Sequence, residues 1–188
     1  MRLFFALDPD EPTRAALAAA AQTARSSAPD AAWTAGPSLH ITLVFVGNTA
    51  PERLAGLEHT AREVATRHGA LRLTMGGGGV FGEPPRVLWL GVDGGPPLGA
   101  LQANLAAALR GLGIEVERRA FTPHLTLARA RRGGGDDHLL HAARTLPGHL
   151  GAFTARDLVL YRTERTPSAA TYAVVSRMRL GGLSDPET

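Results

Sequence analysis

An offset of 84 residues lays the first half of this 188-residue chain over the second. Without a gap, Arg2-Leu3-Phe4-Phe5-Ala6-Leu7 falls on Arg86-Val87-Leu88-Trp89-Leu90-Gly91, Pro12 on Pro96 and Leu17 on Leu101. At an offset of 85, Arg72-Leu73-Thr74-Met75 falls on Asp157-Leu158-Val159-Leu160. Two long repeats mark an internal duplication, since solenoid repeats are shorter and more numerous. Two similar halves packed about a pseudo-two-fold axis bring equivalent residues to opposite sides of one cleft.

The same offset relates two copies of one tetrapeptide pattern, His40-Ile41-Thr42-Leu43 and His124-Leu125-Thr126-Leu127 (124 − 40 = 84). Each lies in an apolar run that reads as a strand. Residues i and i+2 of a strand share a face, so each motif presents an imidazole beside a hydroxyl. Chance supplies roughly 0.6 of a His-x-Thr in a chain with seven His and 16 Thr, so one copy means little. A lone strand histidine is more often satisfied by a backbone partner; a duplicated pair points to chemistry. Imidazole titrates near pH ~6.5, so one ring can accept a proton while its twin donates one, worth typically about 10²–10⁴ in rate. Thr42 and Thr126 offer hydroxyl donors to the nonbridging oxygens of a phosphate. Arg118, Arg119, Arg129, Arg131 and Arg132 crowd around the second motif as an electropositive rim. Strict alternation puts Arg129 on the face opposite His124, so its contact requires a bulge or the strand end.

Other chemistries are poorly supplied. There is no cysteine, hence no disulfide framework, thiolate nucleophile or cysteine-held metal. All 20 basic residues are arginine, which removes the P-loop lysine, the Schiff base and the adenylated lysine of an ATP-dependent ligase. Gly76-Gly77-Gly78-Gly79 could cradle a phosphate, but no Gly-Lys-Ser/Thr follows, and it reads as loop. His138 and His141 stand i, i+3 on a helix without an acidic third ligand, so a solvated helix face is the better reading. No metal and no cofactor is expected. No stretch approaches the ~20 apolar residues that span a bilayer, and the N-terminal run is too short for a signal peptide. We therefore expect a soluble, cytoplasmic monomer that does not engage membranes.

Strand patterns cover 2–7, 32–35, 39–46, 71–75, 86–92 and 123–130, with an edge strand at 114–119 and a terminal hairpin at 156–163 and 170–179. Asp10 reads as the N-cap of a helix running to about Arg25. Asn48 or Thr49 should cap a second helix carrying Leu54, Leu57, Ala61 and Val64. A third helix spans about 97–112, and Asp136 or Asp137 caps a short fourth. Residues 76–85 read as a loop. The expected fold is α+β and bilobal, with two pseudo-symmetric β-α-β-β-α-β lobes and largely antiparallel sheets around a central cleft. The expected domain is 1–180, with lobes at about 1–80 and 81–165, the hairpin strand 170–179 closing it, and a tail at 181–188.

These motifs carry a resemblance to the 2H phosphoesterase superfamily, specifically bacterial RNA 2′,3′-cyclic phosphodiesterases, historically called 2′-5′ RNA ligases. Arg2–Leu7 resembles the family's opening strand. Trp33 followed by 39–47 is similar to its first motif, Phe81-Gly82 with 86–89 to its central strand, and 121–129 to its second motif. Thr163 departs from an expected Ser, and Ala170-Thr171-Tyr172 lacks the usual preceding glycine. The resemblance implies metal-independent hydrolysis of a 2′,3′-cyclic phosphate, at an RNA 3′ end or on a nucleoside, to a 2′-phosphate. His40 and His124 would be catalytic, and Thr42, Thr126 and Arg129 would bind the phosphate. By analogy His124 would be the base and His40 the acid. The alternatives are a reversible 2′-5′ RNA ligase using the same site, and an RNA-end-binding module without turnover.

Overall fold

The computed structural model describes residues 1–117, 119–131, 137–165 and 170–181. Arg118 and Arg132 of the basic rim, Asp136 as a cap, residues 166–169 of the departing loop and the tail after 181 lie outside the described residues. The strands are β1 (Arg2–Leu7), β2 (Ala32–Trp33), β3 (Ile41–Asn48), β4 (Leu71–Phe81), β5 (Val87–Asp93), β6 (His124–Arg129), β7 (Gly151–Ala155), β8 (Asp157–Arg165) and β9 (Ala170–Arg179). The helices are α1 (Glu11–Arg25), α2 (Leu54–Thr66), α3 (Gly95–Gly111) and α4 (His138–Thr145). The strands form one antiparallel sheet in the order β7-β4-β5-β6-β3-β1-β8-β9, with β2 added to β6.

That order shows how the duplication folds. β4 closes the first repeat yet pairs with β5 of the second, and β8 closes the second repeat yet pairs with β1 of the first. The order therefore runs β3-β1-β8-β9 on one side and β6-β5-β4-β7 on the other, each side combining strands of both repeats. The cause is local: a short turn joins β4 to β5, and strands adjacent in sequence pair most readily. β7 and β8 sit near opposite ends of the order, yet only Arg156 separates them in sequence. The sheet must curl to satisfy that connection. With helices on one face it can only curl toward the other, which gives a half-barrel with an open, concave face.

β1 shows how one strand serves both faces. Leu3, Phe5 and Leu7 are fully buried in the main core shared with Leu17, Leu57, Leu98, Leu101 and Leu105 of the helices. Phe4 and Ala6 point the other way and form a second cluster with Val159 and Tyr161. Burial on both faces explains why this strand reads as an unbroken apolar run. Asp10 caps α1, its carboxylate accepting from the Thr13 N–H at 3.0 Å, which stabilises the helix by about 0.5–2 kcal/mol.

Several local expectations are corrected. Residues 76–81 belong to β4 rather than to a loop. Glycine is demanded there by crowding: an added Cβ would lie 2.1 Å from the Gly148 carbonyl oxygen at Gly76, and 2.2 Å from that of Ala143 at Gly78. A turn of 3₁₀ helix at Pro51–Arg53, not a cap from Asn48 or Thr49, leads into α2. Asp137 precedes α4 without a side-chain cap bond. The described residues of 114–119 form no strand, and β7 lies where the pattern predicts none. No helix among the described residues is long and apolar enough to cross a membrane.

Candidate active site

The two motif strands are neighbours. β3 and β6 pair antiparallel at Ile41 and Leu125, both fully buried against the helices. Alternation then turns His40, Thr42, His124 and Thr126 onto the open face. This register sets His40 across from Thr126 and Thr42 across from His124, so the two imidazoles occupy diagonal positions. In a regular sheet such positions lie about 7–8 Å apart. Ile41–Leu125 is the one residue pair joining these strands among the described residues.

The rings are held alike. His40 Nδ1 lies 2.7 Å from the Ser38 carbonyl oxygen, and His124 Nδ1 lies 2.7 Å from the Thr122 carbonyl oxygen. A carbonyl only accepts, so each Nδ1 carries the proton. The neutral ring then presents a bare Nε2. Aromatic walls complete each seat. Phe4 lies 4.8 Å from the His40 ring centroid, Tyr172 4.9 Å edge-on and Tyr161 6.0 Å. On the other side Phe81 meets His124 edge-on at 4.9 Å, and Trp89 lies 6.3 Å away.

Burial holds the His40 ring below its ordinary 6.5; the Ser38 bond and the Asp8 carboxylate push back, while Arg129 and Arg14 add to the lowering. His124 is lowered in the same way by burial, opposed by the Thr122 bond and assisted by Arg129.

Arg129 thus acts on both imidazoles, and a bulge explains how. Between β5 and β6 the register slips, with Leu88 opposite Ala128 and Trp89 opposite Thr126, so Leu127 is an extra residue. Leu127 and Ala128 are both buried, and the alternation resumes with Arg129 exposed on the motif face. β3 has the same irregularity: Phe5 pairs with Val44 and Ala6 with Thr42, leaving Leu43 extra. That bulge turns Phe45 outward, 51% exposed and 5.9 Å from Phe4. Phe45 and Arg129 are equivalent at the offset of 84, so one repeat carries an aromatic ring where the other carries a guanidinium.

Of the remaining rim, Arg119 pairs with Glu117. His138 and His141 lie on α4, and among the described residues no three His, Cys, Asp or Glu side chains gather as metal ligands. Sequence reasoning did not single out Phe4, Phe81, Trp89, Tyr161, Tyr172, Phe45 or Asp8 as site residues. The aromatics read as ordinary strand residues, and the only signal for Phe4 is that an unbroken apolar run implies burial on both faces of β1.

The chain matches relatives over most of its length. A curated RNA 2′,3′-cyclic phosphodiesterase of Geobacillus stearothermophilus is 35% identical over 88% of this chain, which spans about half (52%) of that protein. One of Methanothermobacter thermautotrophicus is 28% identical over 96% of this chain and 99% of its own length. The crystal structure of a Thermus thermophilus protein superposes with a TM-score of 0.81 at 26% identity, covering 97% of this chain and 99% of that one. The structure of Escherichia coli LigT complexed with 3′-AMP superposes with a TM-score of 0.76 at 26% identity, covering 95% and 97%. The family model described as the 2′-5′ RNA ligase superfamily matches residues 3–167, and this chain, with its curled sheet and paired motifs, belongs to that superfamily of 2H phosphoesterases.

Proposed function

We propose that this chain hydrolyses the 2′,3′-cyclic phosphate of an RNA 3′ end, or of a nucleoside, to a 2′-phosphate, without a metal ion. The observation that carries the reading is the matched pair of imidazoles on one open face, each with Nδ1 tied to a carbonyl and Nε2 without a partner among the described residues. The names of the curated relatives support the substrate class.

In the proposed step, water attacks phosphorus while His124 Nε2 removes its proton. The P–O3′ bond breaks in line with the attack, and protonated His40 donates to the departing O3′. The product is a 2′-phosphate with a free 3′-hydroxyl, and solvent exchange resets the two rings. Thr42, Thr126 and Arg129 donate to the nonbridging oxygens, where charge builds in the transition state. In the free protein burial favours two neutral rings. An anionic phosphate between them restores a proton to one, so the acid forms when substrate binds.

The test is incubation with an oligonucleotide ending in a 2′,3′-cyclic phosphate in the presence of EDTA. A 2′-phosphate product is expected, with His40→Ala and His124→Ala each losing about 10²-fold or more. No product from the wild type, or full activity in either variant, would refute the reading. The superfamily's description favours a second use of the same site, the joining of a cyclic end to a 5′-hydroxyl without a nucleotide. Adding a 5′-hydroxyl oligonucleotide to the same assay measures it.

A further inference from the structure

The two histidine seats are alike in their carbonyl bonds and aromatic walls, but they differ in charge. Behind His40 lies a network with no counterpart behind His124 among the described residues. The Asp8 carboxylate, at the end of β1, accepts the Tyr161 hydroxyl at 2.8 Å and pairs with Arg177 at 3.0 Å and with Arg14 at 3.9 Å. Arg14 reaches in from α1 and donates to the carbonyls of Gly36 at 2.7 Å and Leu39 at 3.0 Å, holding the segment that leads into His40. The Tyr161 ring stacks on Phe4 at 5.3 Å, and both rings wall His40. The side chains of Asp8 and Arg14 are only 14% and 16% exposed, so solvent screens them weakly. At the offset of 84, Asp8 falls on Val92 and Arg14 on Leu98, neither of which carries charge.

We infer that Asp8 is a positioning residue that breaks the symmetry of the duplicated site by favouring a proton on His40 and not on His124. The inference rests on the hydrolytic reading above and deepens it. The groups that face His40 are Asp8 at the end of β1, Arg14 on α1, Arg129 on β6, Tyr161 on β8 and Tyr172 on β9. Asp8 supplies the negative charge among them; it holds the hydroxyl of Tyr161, whose ring walls His40, and its carboxylate pushes the His40 midpoint up. Among the described residues no carboxylate bears on His124, where Arg129 alone adds charge. Asp8 therefore favours the protonated form of His40, offsetting part of what burial, Arg129 and Arg14 take away, and among the described residues no carboxylate does the same for His124. Arg177 acts on His40 through Asp8, by neutralising part of its charge.

The experiment titrates both imidazoles by NMR with ¹³C-labelled histidine in the wild type, Asp8→Asn and Arg177→Met, with no ligand present. The His40 midpoint should fall in Asp8→Asn and rise in Arg177→Met, while His124 stays in place. The opposite signs keep the test informative if Asp8→Asn fails to fold, because Arg177 is half exposed. A His40 midpoint that ignores both variants, or that moves together with that of His124, overturns the inference. A kinetic arm separates positioning from scaffolding. Asp8→Asn should lose about tenfold in kcat on the cyclic phosphate with KM within about twofold, and recover on a substrate with sulfur at the 3′ bridging position, whose thiolate leaves without an acid. A loss that persists with the sulfur substrate makes Asp8 a support of the loop only, and overturns the inference. Failure of the wild type to open the cyclic phosphate would sink the hydrolytic reading instead, and the titration would still decide the role of Asp8.

Discussion

Alanine at Gly79 tests the packing that seats His124. Gly79 on β4 lies opposite Trp89 on β5, and the indole folds over its glycine partner. A Cβ added there would lie 2.2 Å from Trp89 Cζ2 and 2.4 Å from Cη2. Ordinary carbon contacts begin near 3.5 Å, so the ring must retreat by roughly 1.3 Å. Overpacking of this kind costs about 1–3 kcal/mol. For a chain of this length each kcal/mol shifts Tm by about 2–4 °C, so Tm should drop by about 2–12 °C. The retreat also disturbs the site, because Trp89 packs on Phe81 at 5.2 Å and both line His124. A misplacement near 1 Å can cost about 10²-fold, so kcat on a cyclic phosphate should fall by about 10- to 100-fold. Gly56→Ala is the control. Gly56 lies in α2 with nothing within 4 Å of its added Cβ, and alanine there should stabilise by about 0.4–1 kcal/mol. Scanning calorimetry and turnover on both variants decide the matter. A Gly79→Ala protein as stable and as active as the wild type would refute the claim that the indole is held by its glycine partner.

Three further outcomes are expected. Arg129→Gln should cost about 1.5–3 kcal/mol of phosphate interaction, read as kcat/KM, and should raise both histidine midpoints by removing a shared positive charge; unchanged midpoints would show that Arg129 does not reach the rings. Phe45→Ala should leave Tm nearly unchanged, because the ring is 51% exposed, yet raise KM for a dinucleotide cyclic phosphate by about fivefold or more through loss of base stacking; an equal KM would remove Phe45 from the substrate path. Both imidazoles are held below 6.5 in the fold, so the unfolded chain binds more protons beneath that pH. Their contribution to stability is complete above about pH 6.5 and drains as pH falls through the folded midpoints. Urea midpoints from pH 8 to 5 should drop in the wild type and drop less in the His40→Gln/His124→Gln protein; parallel curves would sink the assignment.

Much of this architecture is written in short-range pattern. The strands β1, β3, β5, β6, β8 and β9 follow from β-rich runs and alternation, and α1 from Asp10 and Pro12 ahead of an alanine-rich helix, because propensity and capping act within a few residues. The duplication, visible as an 84-residue offset, is enough to mark His40 and His124 as candidates. β7 escaped because Gly151, Ala152 and Ala155 are poor strand formers, and its pairing with β4 supplies what propensity lacks. The run Gly76–Gly79 looked like a loop because glycine normally signals one; here it clears space for the end of α4, the following 147–149 segment and the Trp89 indole.

What the sequence by itself determined is the repeat, the two His-x-Thr pairs and the alternation that gives each pair a common face, since these depend on spacing along the chain. Only the tertiary structure decided the exchange of β4 and β8 between the halves, the bulge at Leu127 that turns Arg129 toward the imidazoles, and the link from Asp8 to Tyr161 across 153 residues. A single extra residue reverses the face of every side chain beyond it, and a contact between distant positions forms only when the sheet curls. Neither leaves a periodic trace in the sequence.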